Sequence, residues 1–479
     1  MSSQESSTPP RAPLSIDFLI VGGGIAGLAS GLALTRVGHR VLILERGNGE
    51  NNTGGGGIRM PPNMSKVLFH WGLESKLKDV ALTSKPLLFS KFHSGEILGT
   101  QLWSDELLKE TRGEFMLTTH HDLYQVLYDS AVSHGAKIRF NTEVREIDAE
   151  QGQVALVSGE VLSADVILGA DGERGMCRRI VRGRPERITP TGYSLFDATY
   201  NTKSVTAGMP EELAQIVNIE GNTVFVAFGN GCAATGYPIH DRRDIAFHFF
   251  LRDDGTEGNY GDPPSTDLAK LMPQPCDPRL RVVAEHADNA VRIAITQYED
   301  LEEWVHESNR LLVIGQAAHP IAPGTIQGTA MAIEDGAVLA KLFSHLSSRD
   351  QIENFLYAFQ DLRHKRCAAA TQSEVSLITL FTLEDGPEQE ARDSSMQAKF
   401  RAGKNVLDAD EGEEASGIEG EQWVEIRTIF GYDCEDEADN WWIQWGLLRE
   451  RSLGKVEEDG DQDVEGNRFS WGSVTVQEE

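Results

Sequence analysis

Residues 17–27, Asp17-Phe18-Leu19-Ile20-Val21-Gly22-Gly23-Gly24-Ile25-Ala26-Gly27, decide how this chain is read. An apolar run leads straight into glycines, and Leu28 to Val37 follows with helix formers and no proline. That order predicts a buried strand, a tight turn and a helix. Gly22-x-Gly24-x-x-Gly27 supplies the turn, a side-chain-free approach for a pyrophosphate, and close packing of helix on strand. The helix N-terminus adds free N–H groups and partial positive charge. A second strand is predicted at Arg40 to Leu44 and is closed by Glu45, where a carboxylate accepts both hydroxyls of an adenosine ribose. An acid there favours an unphosphorylated ribose, as in FAD or NAD.

Further along, Ala164 to Gly169 and Arg310 to Gly315 repeat the pattern of an apolar run ending in a turn of small residues. The chain is therefore expected to revisit the same sheet twice, making the nucleotide domain discontinuous. Between these returns, Thr223 to Phe228 and Asp244 to Leu251 are bounded by Gly, Asn, Asp and Pro, which predicts an antiparallel sheet over 191–297. After Ala330 the chain reads as helical. Residues 381–479 hold 27 Asp and Glu against 9 Lys and Arg, so the acidity is concentrated late. Stretches 405–421 and 455–467 are poor in apolar residues and read as solvated loops or disorder. Residues 1–13 are polar and Pro-rich and read as a disordered tail. The expected division is a tail at 1–13 and a nucleotide domain at 14–82, 112–190 and 298–350. A β-sheet substrate domain is expected at 83–111 and 191–297, and an acidic, mainly helical region at 351–479.

A net charge of −30 over 479 residues argues against nucleic acid as a partner. The cysteines number five, are widely spaced and form no C-x-x-C pair, which fits reduced thiols in an intracellular compartment. No stretch approaches the about 20 apolar residues of a transmembrane helix, and the first residues hold no signal-peptide core. The chain reads as soluble and, with nothing directing it elsewhere, cytoplasmic. No His, Cys, Asp and Glu cluster has metal-ligand spacing, so no metal is expected. No G-x-S-x-G nucleophile elbow is present.

Two more motifs follow in order: Ala164-Asp165-Val-Ile-Leu-Gly-Ala-Asp171-Gly172, and Gly315-Gln316-Ala317-Ala318-His319-Pro320 with Pro323, Gln327-Gly328 and Met331 to Gly336. Together with the glycine turn, this set resembles the FAD-dependent aromatic-ring monooxygenases of the para-hydroxybenzoate hydroxylase type, and within them the fungal salicylate-hydroxylase-like subgroup. Gly54 to Asn63 and Trp71-Gly72-Leu73 resemble the same subgroup. The resemblance spans residues 14–395. It implies an α/β fold, with a Rossmann-like FAD-binding domain of the GR2 type interleaved with an antiparallel β-sheet substrate domain, plus C-terminal helices. It also implies that Gly22, Gly24, Gly27 and Glu45 hold the ADP half of a non-covalent FAD. Asp171 and Gly172 would lie along the flavin and bear on NAD(P)H use, residue 316 would meet the ribityl chain, and Pro323 and Gly328 would border the isoalloxazine.

The activity implied is consumption of NADPH or NADH and dioxygen to hydroxylate a small aromatic substrate through a flavin hydroperoxide. The substrate would be phenolic, salicylate-like or a fungal secondary metabolite. Epoxidation and Baeyer-Villiger insertion use the same fold and stay open, as do a flavin dehydrogenase or oxidase and a flavin-binding protein without turnover. The W-x-W-x-I-P segment of flavin halogenases is missing.

The chain departs from the family pattern at four positions. Gln316 stands for the usual Asp, His120 for an Arg, Gly175 for a Ser and Ala330 for an Asn. Each change is expected to remove a polar FAD contact, and a charged hydrogen bond contributes about 1.5–3 kcal/mol. Arg59 or Arg112 is expected to restore positive charge near the phosphates. His240 and Tyr193 are the candidates for a general base acting on a phenol. His248 and Tyr237 read mainly as core, and Trp441-Trp442-x-x-Trp445 as an aromatic cluster packing a late helix.

Overall fold

A computed structural model describes residues 10–50, 56–201, 221–259, 262–287, 290–408 and 421–447. Gly54 and Gly55 of the glycine-rich segment, most of the N-terminal tail, residues 409–420 and the acidic stretch 455–467 lie outside the described residues.

Two large sheets organise the chain. The first is parallel throughout, in the order Leu311–Val313 (β18), Val166–Gly169 (β12), Asp17–Val21 (β1), Arg40–Leu44 (β2) and Lys137–Arg139 (β8). From Phe18 to Val21 every residue of β1 is buried, and so is all of β12. A parallel strand covered on both faces reads as a continuous apolar run for that reason. With β2 on one side of β1 and β12 on the other, successive connections leave in opposite directions. The crevice this opens lies at the carboxyl ends of the strands, where open α/β sheets bind ligands.

The second sheet runs Val291–Tyr298 (β17), Ile188–Asn201 (β13), Asp244–Arg252 (β16), Cys232–Ile239 (β15), Val224–Gly229 (β14), Pro86–Lys91 (β5) and Ile97–Leu102 (β6). It departs from the wholly antiparallel expectation in one pair, because β14 and β5 run parallel. These two strands are far apart in sequence, so no tight turn fixes their relative direction. Along β13 the side chains alternate. Phe196, Ala198 and Tyr200 pack with Leu280 and Val283, while Leu195 and Asp197 point to the opposite face.

Two small sheets complete the strands. One is Gly57–Met60 (β3), Met116–Thr119 (β7) and Leu82–Thr83 (β4), and the other is Val144–Asp148 (β9), Gln153–Leu156 (β10) and Val161–Ser163 (β11). The helices are Ile25–Arg36 (α1), Pro62–His70 (α2), Glu74–Val80 (α3), Asp105–Thr111 (α4), His120–Ser133 (α5), Met176–Arg182 (α6) and Pro278–His286 (α7). They continue with Gln327–Phe343 (α8), Gln351–Phe381 (α9), Pro387–Arg401 (α10), Glu421–Gly431 (α11) and Cys434–Trp441 (α12).

The late segments are docked on the body. Val406 N–H donates to Thr100 O at 3.0 Å and Leu407 N–H to Gln101 Oε1 at 3.0 Å. Residues 405–408 therefore cover the edge of β6 instead of forming the solvated loop expected there. Trp441 meets the edge of Phe355, and Trp442 stacks on His345 at 4.3 Å. Trp445 is 62% exposed, so only two of the three tryptophans pack as expected.

Candidate active site

The glycine turn sits where β1 passes into α1. Gly22 has φ 109°, and a β-carbon on it would overlap the carbonyl of Ala170. Gly24 differs, because a β-carbon there would meet nothing within 4 Å. It is the N-cap of α1, no side chain caps it, and the first turn holds no acid. Free amides and an unneutralised helix end thus face open space, which suits a diphosphate. Close by, Glu45 accepts from Gly23 N–H at 2.7 Å and from Gly47 N–H at 2.6 Å. Two bonds fix the carboxylate and leave lone pairs for ribose hydroxyls. The residues present fit the ADP half of FAD.

Gly24 also lines a cavity of about 310 Å³ that runs from the α1 terminus to the face of the second sheet. Of the residues singled out in the sequence, Gly24, Arg59, His120, Gly172, Gln316, Pro323 and Gly328 line it. Gly22, Gly27 and Glu45 stand behind its wall as turn and support.

Several residues sit elsewhere than the sequence suggested. Asp171 turns away from the cavity and accepts from Cys177 N–H at 3.0 Å at the start of α6. Burial pushes its carboxyl above the usual carboxylate range. Gly175 faces that same carboxyl, which occupies the space a β-carbon on 175 would need. Ala330 is fully buried in the core of α8. A polar residue at 175 or 330 would therefore not face the cavity. Arg112 ends α4 and pairs with Asp433 at 2.8 Å and Asp436 at 3.3 Å, drawn to the acidic first turn of α12. Arg59 donates to Gly324 O at 2.5 Å and lies over the Tyr237 ring, which puts its charge beside Pro323.

Neither candidate base lines the cavity. His240 sits at the β15–β16 turn with φ 48°, 2.7 Å from Asp244 and 3.2 Å from Asp122. Hydrogen bonding to Asp122, with Asp244 adding to it, raises the imidazole to about 9, so it is a cation and a poor base at neutral pH. Tyr193 lies within β13, directly after the register shift that follows Pro190, and its hydroxyl pairs with Arg252.

His120 is half-buried at the cavity wall, and desolvation lowers its imidazole to about 4, so a neutral ring stands where the family pattern has a cation. Gln316 accepts from Ile321 N–H at 2.8 Å and donates to Ile321 O at 3.4 Å. Its amide ties the loop shut at the cavity wall, and the oxygen keeps a second lone pair.

The sheet face of the cavity adds Asp197, which the sequence reading did not single out, and Tyr237 and His248, which it read mainly as core. The Tyr237 hydroxyl is 2.6 Å from His248 Nε2. Behind the Gln316 loop, Asp335 accepts from Gly315 N–H at 2.8 Å and from Arg363 Nε at 2.8 Å, and it lies 2.7 Å from His319 Nε2. His319, Asp335 and Cys367 are close enough to share an ion. Arg363 also approaches Cys367 Sγ at 3.4 Å, so a guanidinium already supplies the positive charge there.

A model of the FAD binding domain family matches residues 15–374. The FAD-dependent monooxygenase OpS4 of Beauveria bassiana (strain ARSEF 2860) is 27% identical over 392 residues, covering 81% of this chain and 90% of that protein. The 3-hydroxybenzoate 6-hydroxylase of Klebsiella oxytoca is 25% identical over 330 residues, covering 67% of this chain and 78% of its own length. Among solved structures, CtdE in complex with FAD and a substrate superposes with a TM-score of 0.74 at 19% identity, covering 91% of this chain and 100% of that one. At that identity the likeness is one of fold.

Proposed function

The chain belongs to the FAD binding domain family, and from that premise we propose that it works as an FAD-dependent monooxygenase hydroxylating an aromatic small molecule. One observation carries the reading. A single cavity joins the uncapped N-terminus of α1 at Gly24 to a sheet wall bearing Leu195, Asp197, Tyr237 and His248. A nucleotide end and a ring-sized chamber are thereby held together.

The chemistry FAD would supply when held there is two-electron oxidation of NADPH or NADH and transfer of one oxygen atom of dioxygen to the substrate, the other leaving as water. The protein's share is binding, orientation and exclusion of water. The amides of α1 and the carboxylate of Glu45 hold the ADP half, while Gln316, Pro323 and Gly328 border the remainder. Leu195 and Ile293 give the substrate an apolar wall. Tyr237 and His248, joined by their hydrogen bond, add a polar pair to that wall that can orient the substrate. A reducing compartment such as the cytoplasm belongs to the proposal, since all five cysteines stand unpaired.

The test is a visible spectrum of the purified protein with FAD supplied, followed by NADH and NADPH oxidation in air with a panel of aromatics. Flavin absorbance, nicotinamide consumption accelerated by an aromatic, and label from isotopic dioxygen in the product are expected. Nicotinamide oxidation with no label in any product would leave a dehydrogenase or oxidase.

A further inference from the structure

Position 197 on β13 is paired with position 248 on the neighbouring β16. Both side chains line the cavity, although they are only 6% and 3% exposed. Asp197 Oδ1 and His248 Nδ1 have no well-formed hydrogen bond, the Gly57 backbone lying near the imidazole, and they face each other at 3.7 Å. That separation is too long for a good N–H···O bond. Polar atoms buried this deeply are nearly always satisfied, so two orphans on the wall of a cavity point to a ligand that completes them.

The electrostatics limit what that ligand can be. Burial raises the Asp197 carboxyl to about 8, with no cation to oppose it. Burial, with the nearby Arg59 charge second, lowers the His248 imidazole to about 3. Both groups are neutral at pH 7. The other titratable side chains facing them are Tyr237, on His248 Nε2, and the cation Arg59, one N–H of which donates to Gly324 O. A neutral carboxyl beside a neutral imidazole offers both a donor and an acceptor, whichever ring nitrogen carries the proton. A ligand carboxylate would add negative charge next to a buried carboxyl that has no cation of its own.

We infer that this wall selects a neutral aromatic lactam, whose ring N–H donates to Asp197 and whose carbonyl faces His248, over a benzoate-type acid. The inference rests on the monooxygenase reading only in treating this ligand as the substrate, because the binding preference stands on the wall itself. A site built around a buried acceptor rejects an analogue that lacks the matching donor.

Calorimetric titration of the FAD-supplied protein with three probes tests the inference. The probes are carbostyril, coumarin, which has the same two rings with oxygen in place of the N–H, and salicylate. Carbostyril is expected to bind at least about tenfold more tightly than either of the others. Asp197→Leu should erase the preference for carbostyril over coumarin, and Asp197→Asn, which keeps an amide oxygen, should retain it. Equal affinities, tighter salicylate binding, or a preference that survives Asp197→Leu would overturn the inference. A flavin spectrum of the same samples separates the two readings. Absence of bound flavin counts against the monooxygenase, whereas the ranking of the probes tests the wall alone.

Discussion

The carbonyl oxygen of Gly22 occupies the place a β-carbon on Gly27 would need, so the first turn of α1 rides directly on the loop that precedes it. Gly24, three residues earlier, opens on empty space. The two glycines therefore have separable duties. Gly27→Ala should cost about 1–3 kcal/mol of stability through overlap with backbone. Gly24→Ala should leave the melting temperature of the FAD-free protein unchanged while weakening FAD about tenfold or more, because its methyl group intrudes where the diphosphate would lie. Thermal melts and FAD titration of both variants decide it, and unaltered FAD affinity in Gly24→Ala would refute the assignment.

Asp197 carries a stability signature of its own. Its carboxyl titrates at 3.8 when exposed and is raised to about 8 by burial. A raised group contributes its full stability below the unfolded value and loses it as pH rises through the folded value. The native protein should lose stability steadily from about pH 4 to about pH 8, by an amount on the order of several kcal/mol. Asp197→Asn has no proton to lose. Its stability in denaturant should match the parent near pH 4 and exceed it at pH 8, and parallel pH profiles would show that Asp197 is already ionised.

The parts of this fold legible in the sequence are those buried on both faces. Asp17–Val21, Val166–Gly169 and Leu311–Val313 are continuous apolar runs ending in glycine turns or small residues, and they form the centre and one edge of the parallel sheet. The cavity wall was not legible, for a physical reason. Tyr193 and Asp197 share one face of β13, in an unbroken register against β16, and look equally eligible in sequence. Only the place of Asp197 along the strand, opposite His248, brings it to the cavity, and no local pattern announces that place. His240 and His248 differ in the same way. His240, Asp241 and Arg242 all adopt positive φ and form the turn, which removes His240 from the sheet face. Arg112 answers to acids on α12, a pairing between elements remote in sequence.

His240 bridges the second sheet, through Asp244, to the first turn of α5, through Asp122. Its imidazole is raised from 6.5 to about 9, with the Asp122 hydrogen bond the largest favourable cause. This tie is complete below the unfolded value and is lost as pH rises through about 9. His240→Gln should lower the melting temperature by about 1–3 °C at pH 6, a small effect because solvent screens the partly exposed pair. The difference should vanish above about pH 10. Because His240 stands outside the cavity, turnover with saturating substrate should survive the change, and a loss of activity beyond about a hundredfold would restore it as a base.

The buried cluster behind the Gln316 loop carries the largest mutational cost. Arg363 donates to Glu334 at 2.6 Å and to Asp335 at 2.8 Å, and Arg366 pairs with Glu334 at 3.0 Å. Arg363, Glu334 and Asp335 are inaccessible to solvent. Burial opposes ionisation of both acids, but the arginines, joined at Asp335 by His319, hold them below their ordinary range. Arg363→Met keeps the bulk and removes the charge, so Glu334 is left to Arg366 and Asp335 to His319, and the buried cluster becomes one unit more negative or takes up a proton. A loss of about 3–5 kcal/mol is expected in denaturant titration at pH 7. The damage should reach the cofactor as well, because Asp335 holds Gly315 N–H and so fixes the start of the loop bearing Gln316. Weaker FAD binding should accompany the lost stability in Arg363→Met, and Arg363→Lys, which restores a cation, should recover part of both. A variant as stable as the parent would mean that the acids accept neutralisation without the arginine, and that the cluster does not anchor the loop.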